Sequence, residues 1–201
     1  RSSSDMPLIV GDGVFKWPLV DPNQLVARSI DFSSTLHDVF SDAVRLNPPS
    51  MTNPWSLVVG FDEVVPGNKF KIDNRRKCMN LHFSFKELGQ HALCNVLAWF
   101  TPVCIRTSML HKCRGGWLHF LRMYLRTHSL GPSGILPAGV PILISGHPIL
   151  LFAKLTNLLS DGDGLRMAFD WKGASSMKPC FKHYNVFKKD TLCLLLLFPM
   201  F

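Results

Sequence analysis

The sequence is poor in charge and poorer in acid: 18% of its 201 residues are Asp, Glu, Lys or Arg, with 14 acidic against 22 basic side chains. That composition, with 47% hydrophobic residues, excludes a charged disordered chain and leaves material for a real core. Several catalytic signatures are missing as well. No G-x-S-x-G elbow, G-x-x-x-x-G-K-[ST] loop or H-E-x-x-H helix occurs, so hydrolase-elbow, P-loop and zincin chemistry have no sequence warrant. There is no internal repeat and no low-complexity tract. A basic n-region followed by an apolar h-region is also missing at the start, so secretion is not expected. The chain begins at Arg1 and finishes in an apolar run over 191–201, and both ends read as cut or altered. That run is about half the ~20 residues a spanning helix needs.

Metal-ligand pairs are scarce. Six cysteines (78, 94, 104, 113, 180 and 193) are scattered, and in a chain that is not secreted they read as reduced thiols packing as small apolar residues. Only Cys180 and His183 have the tight spacing of a zinc half-site. Asp161-Gly-Asp-Gly164 does not match a calcium loop, because Leu165 stands where that loop needs an oxygen ligand. The eight histidines are dispersed and read as surface or packed residues.

What the chain does have is a basic middle. Residues 61–130 hold 11 basic and 4 acidic groups, most of the net +8. Lys69, Lys71, Arg75, Arg76 and Lys77 crowd nine positions, enough to meet nucleic-acid phosphates if they share a face. A solvated loop is the competing reading.

Periodicity gives a coarse secondary structure. Leu36, Val39, Phe40, Ala43 and Val44 form a helical stripe, so a helix is expected over 34–46, with Ser34 as cap and Asn47-Pro48-Pro49 as stop. Residues 55–61 form a short apolar strand that runs directly into Asp62-Glu63, and Pro66-Gly67-Asn68 then turns the chain. Alternation predicts a second strand over 78–85 and a third over 98–107, where Pro102 requires an edge position or a bulge. A helix is expected over 117–128, a loop-rich crossover over 131–148, a strand over 149–159 ending at Asp161, and a short helix from Leu165 to Lys172, with Asp163 available to cap it.

The order strand–Asp, strand, strand, helix, strand–Asp, helix is that in which an RNase H-like nuclease or transposase core displays its first two carboxylates. There, two divalent ions activate a water or a 3′-hydroxyl at a phosphodiester, so acids at strand ends must converge. Asp62 and Asp161 are the candidate catalytic residues, and Asp62, Asp161 and Asp163 the candidate ligands for Mg2+ or Mn2+, hard ions suited to oxygen donors. The competing reading makes all three ordinary turn or cap residues. The full transposase set needs a third carboxylate. After Asp170 only Asp190 remains, so an incomplete catalytic set is expected.

Residues 55–69, 160–166 and 170–180 resemble a multi-copy family of uncharacterised proteins in algal genomes, whose repeated reading frames are similar to mobile-element proteins. The resemblance covers roughly residues 15–190. It implies a truncated DDE-type transposase-like core with Asp62 and Asp161 as the matched acids, DNA ahead of RNA as partner, and a nuclear location.

The expected architecture is therefore α/β: an RNase H-like mixed sheet flanked by helices over 51–190, a helical arm or partial domain over 1–50, and a doubtful tail over 191–201. Two other readings compete. A non-catalytic module for nucleic acid or protein would use the basic segment with Phe70, Phe83, Phe85 and Trp99 interleaved. A membrane protein would use the uncharged stretch 135–153, against which Pro137, Pro141 and Pro148 argue.

Overall fold

Alternating apolar residues build the centre of the protein. The computed structural model describes residues 3–10, 13–66 and 74–169. Three strands, β3 (Trp55–Val64), β4 (Cys78–Phe85) and β5 (Phe100–Arg106), pair antiparallel in that order, and β8 (Ala153–Leu159) returns parallel to β3 on its other side. One face of this four-stranded mixed sheet carries Leu57, Val59 and Phe61 from β3, Met79, Leu81, Phe83 and Phe85 from β4, and Val103 and Ile105 from β5, all buried in one cluster. The strand expected over 78–85 is β4 with the same bounds. Pro102 lies on the edge strand, and the β4–β5 ladder is irregular between Leu81 and Phe83, so the missing N–H is accommodated by edge and bulge together.

Upstream, the chain departs from expectation. The region read as a helical arm over 1–50 opens with an antiparallel hairpin of β1 (Ser3–Val10) and β2 (Gly13–Val20), followed by α1 (Pro22–Phe32) and α2 (Ser34–Leu46). Its helices have no core of their own. Val26 and Ile30 of α1, and Leu36, Phe40 and Ala43 of α2, join the sheet's cluster, because an amphipathic stripe has to be covered and the sheet's apolar face is the surface that covers it. Phe40 sits 5.9 Å from Trp55, 6.0 Å from Phe85 and 6.3 Å from Phe100, ring centre to ring centre. Both helices are capped from the preceding residue. The Asp21 carboxylate accepts from Asn23 N at 2.9 Å ahead of Pro22, and the Ser33 hydroxyl, rather than Ser34, accepts from Leu36 N at 3.2 Å.

Between the strands, α3 (Gly89–Leu93) is a short turn and α4 (Thr107–Leu110) follows β5 directly. Next comes α5 (Gly116–Leu125), which buries Trp117, Phe120, Leu121, Tyr124 and Leu125 and continues into a π-helical turn over Arg126–Leu130. The segment read as a loop-rich crossover contains a hairpin instead, β6 (Val140–Ile144) and β7 (His147–Leu151). Ser145 (φ 51°) and Gly146 (φ 79°) form its two-residue turn, the left-handed pair that matches strand twist. In a two-stranded ribbon both strands are edges, so Pro141 and Pro148 cost little. The stretch 135–153 is thus not a helix, and among the described residues no helix is long and apolar enough to cross a membrane. Finally α6 (Gly162–Phe169) starts three residues earlier than expected.

Candidate functional site

The parallel register of β3 and β8 decides where the two acids lie. Val59 pairs with Leu158 and Gly60 with Leu159. Two positions further along each strand stand Asp62, inside β3, and Asp161, just past β8, so neighbouring parallel strands carry the acids at the same end of the sheet. Both are exposed. The sequence ended the first strand before Asp62, whereas β3 continues to Val64 and pairs Asp62 with Asn80 of β4. Asp62 is thus a strand residue and not part of a turn.

Asp161 has a second occupation. Its Oδ1 accepts from Gly164 N at 2.7 Å and its carbonyl from Leu165 N at 3.0 Å, making it the cap of α6. The sequence had offered that task to Asp163, which lies in the first turn of the helix. Gly164 fits this bend closely: a Cβ there would overlap the Ser160 hydroxyl, forcing that side chain to turn, and would stand 3.1 Å from Asp161 Oδ1.

Asp62 lies on the face of the sheet opposite the main core, whereas Asp161 stands past the end of β8 at the start of α6, a helix that packs Leu165 and Ala168 against that core. With Asp62 and Gly60 on that face come Asn80 and His82 of β4, their register partners. Asn80 Oδ1 is buried without a hydrogen-bond partner. Burial pushes the His82 imidazole below its ordinary pKa, and the negative charge of Asp62 offsets part of that effect. His82 Nδ1 also lies 3.0 Å from the Thr101 hydroxyl. Trp99 covers part of this face near Gly60 and donates its indole N–H to Leu93 O at 2.9 Å.

One residue along β3, Glu63 points to the opposite side, and sequence reasoning missed it. Its Oε2 accepts from Lys77 Nζ at 2.8 Å and its Oε1 from the Thr107 hydroxyl at 2.7 Å. Burial by itself would raise this carboxyl. The hydrogen bonds from Lys77 and Thr107, together with the charges of Lys77 and His111, outweigh burial and hold it below the usual range. The available signal was alternation: two successive acids in a strand must face opposite ways. Thr107 also lines a cleft of about 450 Å³ bounded by His111, Gly115, Gly116, Trp117 and Leu118.

The predicted basic strip divides. Lys77 is committed to Glu63, while Arg75 and Arg76 are exposed in a 3-10 turn (Asn74–Arg76) leading into β4. Lys69 and Lys71 lie outside the described residues, as do Asp170, Asp190, Cys180 and His183. Among the described residues no three His, Cys, Asp or Glu side chains gather as a metal site. The expectation that cysteines pack as small apolar residues holds for buried Cys113, whereas Cys78 is half-buried and Cys94 and Cys104 are exposed. Comparison of the chain with protein-family models, curated proteins and solved structures finds no match.

Proposed function

We propose that this protein binds nucleic acid through an RNase H-like core derived from a mobile-element transposase, with Asp62 and Asp161 as its divalent-cation ligands. The observation that carries the reading is the β3–β8 register, which brings the first and second acids of the strand–Asp, strand, strand, helix, strand–Asp order to neighbouring parallel strand ends. Two carboxylates suit Mg2+ or Mn2+, which are commonly held by one or two protein carboxylates with substrate phosphates completing the shell. When bound, such an ion supplies charge stabilisation at a phosphodiester. Asp62 offers its carboxylate from the strand, and Asp161 offers Oδ2, since Oδ1 caps α6. Arg75 and Arg76 stand at the start of β4, the strand that flanks Asp62, where they can meet the backbone of a nucleic acid.

A second reading, a non-catalytic interaction module, is favoured by the capping role of Asp161 and the ion pair that occupies Lys77. Mn2+ binding by calorimetry and duplex DNA binding by fluorescence anisotropy, each with the parent and Asp62→Asn, separate the two. The expected result is Mn2+ binding that Asp62→Asn removes while salt-sensitive DNA binding persists. DNA binding with no Mn2+ uptake by the parent establishes the module, and absence of both ends the proposal.

A further inference from the structure

The turn of the β6–β7 hairpin rests on a histidine of α2. His37 Nε2 accepts the backbone N–H of Ser145 at 3.1 Å, a contact made across 108 residues of chain. On the other side of the ring, Nδ1 lies 3.7 Å from Asp38 Oδ1 and 3.5 Å from the Ser41 hydroxyl. An imidazole that accepts at Nε2 must be neutral and carry its proton on Nδ1, where Asp38 and Ser41 offer oxygen. Ser145 is a residue that needs holding. At φ 51° it is the one non-glycine among the described residues in the left-handed region, a conformation that surrounding contacts have to maintain. The strands of the hairpin are secured independently, because Val140, Ile142, Ile144 and Leu151 are buried in the main cluster.

We propose that His37 is a proton-operated latch: the neutral imidazole holds the β6–β7 turn against α2, and protonation of Nε2 releases it. A proton from solvent occupies the lone pair that had accepted the Ser145 N–H, and two donors then face each other. The imidazolium has no acceptor left. Ser145 is exposed, so its freed N–H turns to water, and loss of the proton restores the bond. The elements packed against α2 bring Arg28 and Asp31 of α1, Lys86 and Glu87 of the turn after β4, and His147 at the start of β7. Among the described residues none of these pairs with His37, whereas Asp38 on α2 itself does. What opens is the turn over 144–147 and not the hairpin, since the inner face of its strands stays in the core.

The test follows the full chain by NMR from about pH 8 to about pH 5, reading the His37 ring carbons and the backbone amides of the turn. The Ser145 amide is expected to titrate with the midpoint of the His37 ring. Its protection against hydrogen exchange, measured above and below that midpoint, is expected to fall roughly 2- to 10-fold, the worth of one hydrogen bond. His37→Gln carries an amide oxygen that accepts at every pH and is expected to leave the Ser145 amide insensitive to pH. His147→Gln is expected to keep the response, which separates the latch from the neighbouring titration. A Ser145 amide that ignores the His37 titration, a response that survives in His37→Gln, or one that disappears in His147→Gln overturns the proposal.

Discussion

Replacing Glu63 by Gln tests the account of how the strand end beside Asp62 is held. Glu63 joins three elements: its own β3, Lys77 at the entrance to β4, and Thr107 at the start of α4. Glutamine keeps the shape and an acceptor for Thr107 and removes only the charge facing Lys77. Side-chain exposures of 34% for Lys77 and 26% for Glu63 make this a partly screened pair, so the cost sits near the lower end for charge-assisted hydrogen bonds, about 1 kcal/mol at neutral pH. For a chain of this size that is a fall of roughly 2–4 °C in Tm. The pH dependence has a defined sign. The folded-state pKa of Glu63 lies below its ordinary 4.5, so its contribution is fully present above that value and is lost as pH falls through the lower folded-state value. Urea melts of the parent, Glu63→Gln, Lys77→Met and the double variant, at pH 7 and again in acid, measure both effects. The expected coupling between the two sites is about 1 kcal/mol at pH 7 and shrinks toward zero in acid. A coupling that is absent at pH 7, or equally large in acid, refutes the reasoning.

Two further outcomes follow from the same region. Gly164→Ala should destabilise by ~1–3 kcal/mol in urea melts, because the added methyl overlaps the Ser160 hydroxyl, even though alanine is the better helix former; a stabilised variant would show that the β8–α6 bend is misread. His82, held below 6.5 by burial and partly restored by Asp62, should titrate below 6.5 by NMR, and lower still in Asp62→Asn. Because its folded value is depressed, His82 contributes full stability above 6.5 and loses it as pH falls through the folded value. A midpoint that ignores Asp62→Asn would place the two side chains too far apart to interact.

What could be read in advance was whatever local periodicity determines. The alternation of Met79, Leu81, Phe83 and Phe85 specified β4 to the residue, and the stripe from Leu36 to Val44 specified α2, because each pattern matches only one backbone period. Gly and Pro misled where they were dense. Val140, Ile142 and Ile144 alternate as cleanly as β4 does, but Pro141, Gly146 and Pro148 gave the whole stretch the look of a loop, and the Ser145-Gly146 turn was the overlooked signal. The Asp21-Pro22 start of α1 was overlooked in the same way. Long-range relations were not legible at all. Nothing local states that β8 lies parallel to β3 or that Lys77 meets Glu63, since each depends on strand register between segments distant in the chain.

The two candidate acids therefore carry unequal weight. Asp161 has a structural reason to be an acid: a carboxylate at the start of α6 accepts the Gly164 N–H and sits favourably at the positive end of the helix. Asp62 has no such reason. It stands within a strand, where Asp is disfavoured; among the described residues it caps no helix, the β-sheet ladder needs only its backbone, and its charge acts on His82. On the proposed reading this position, at the carboxyl end of a strand and next to a parallel neighbour that runs into another acid, is where a cation ligand is expected. For that reason Asp62→Asn, and not a change at Asp161, is the informative substitution: it can alter cation binding without removing a helix cap, so a loss of Mn2+ binding would report on the site itself.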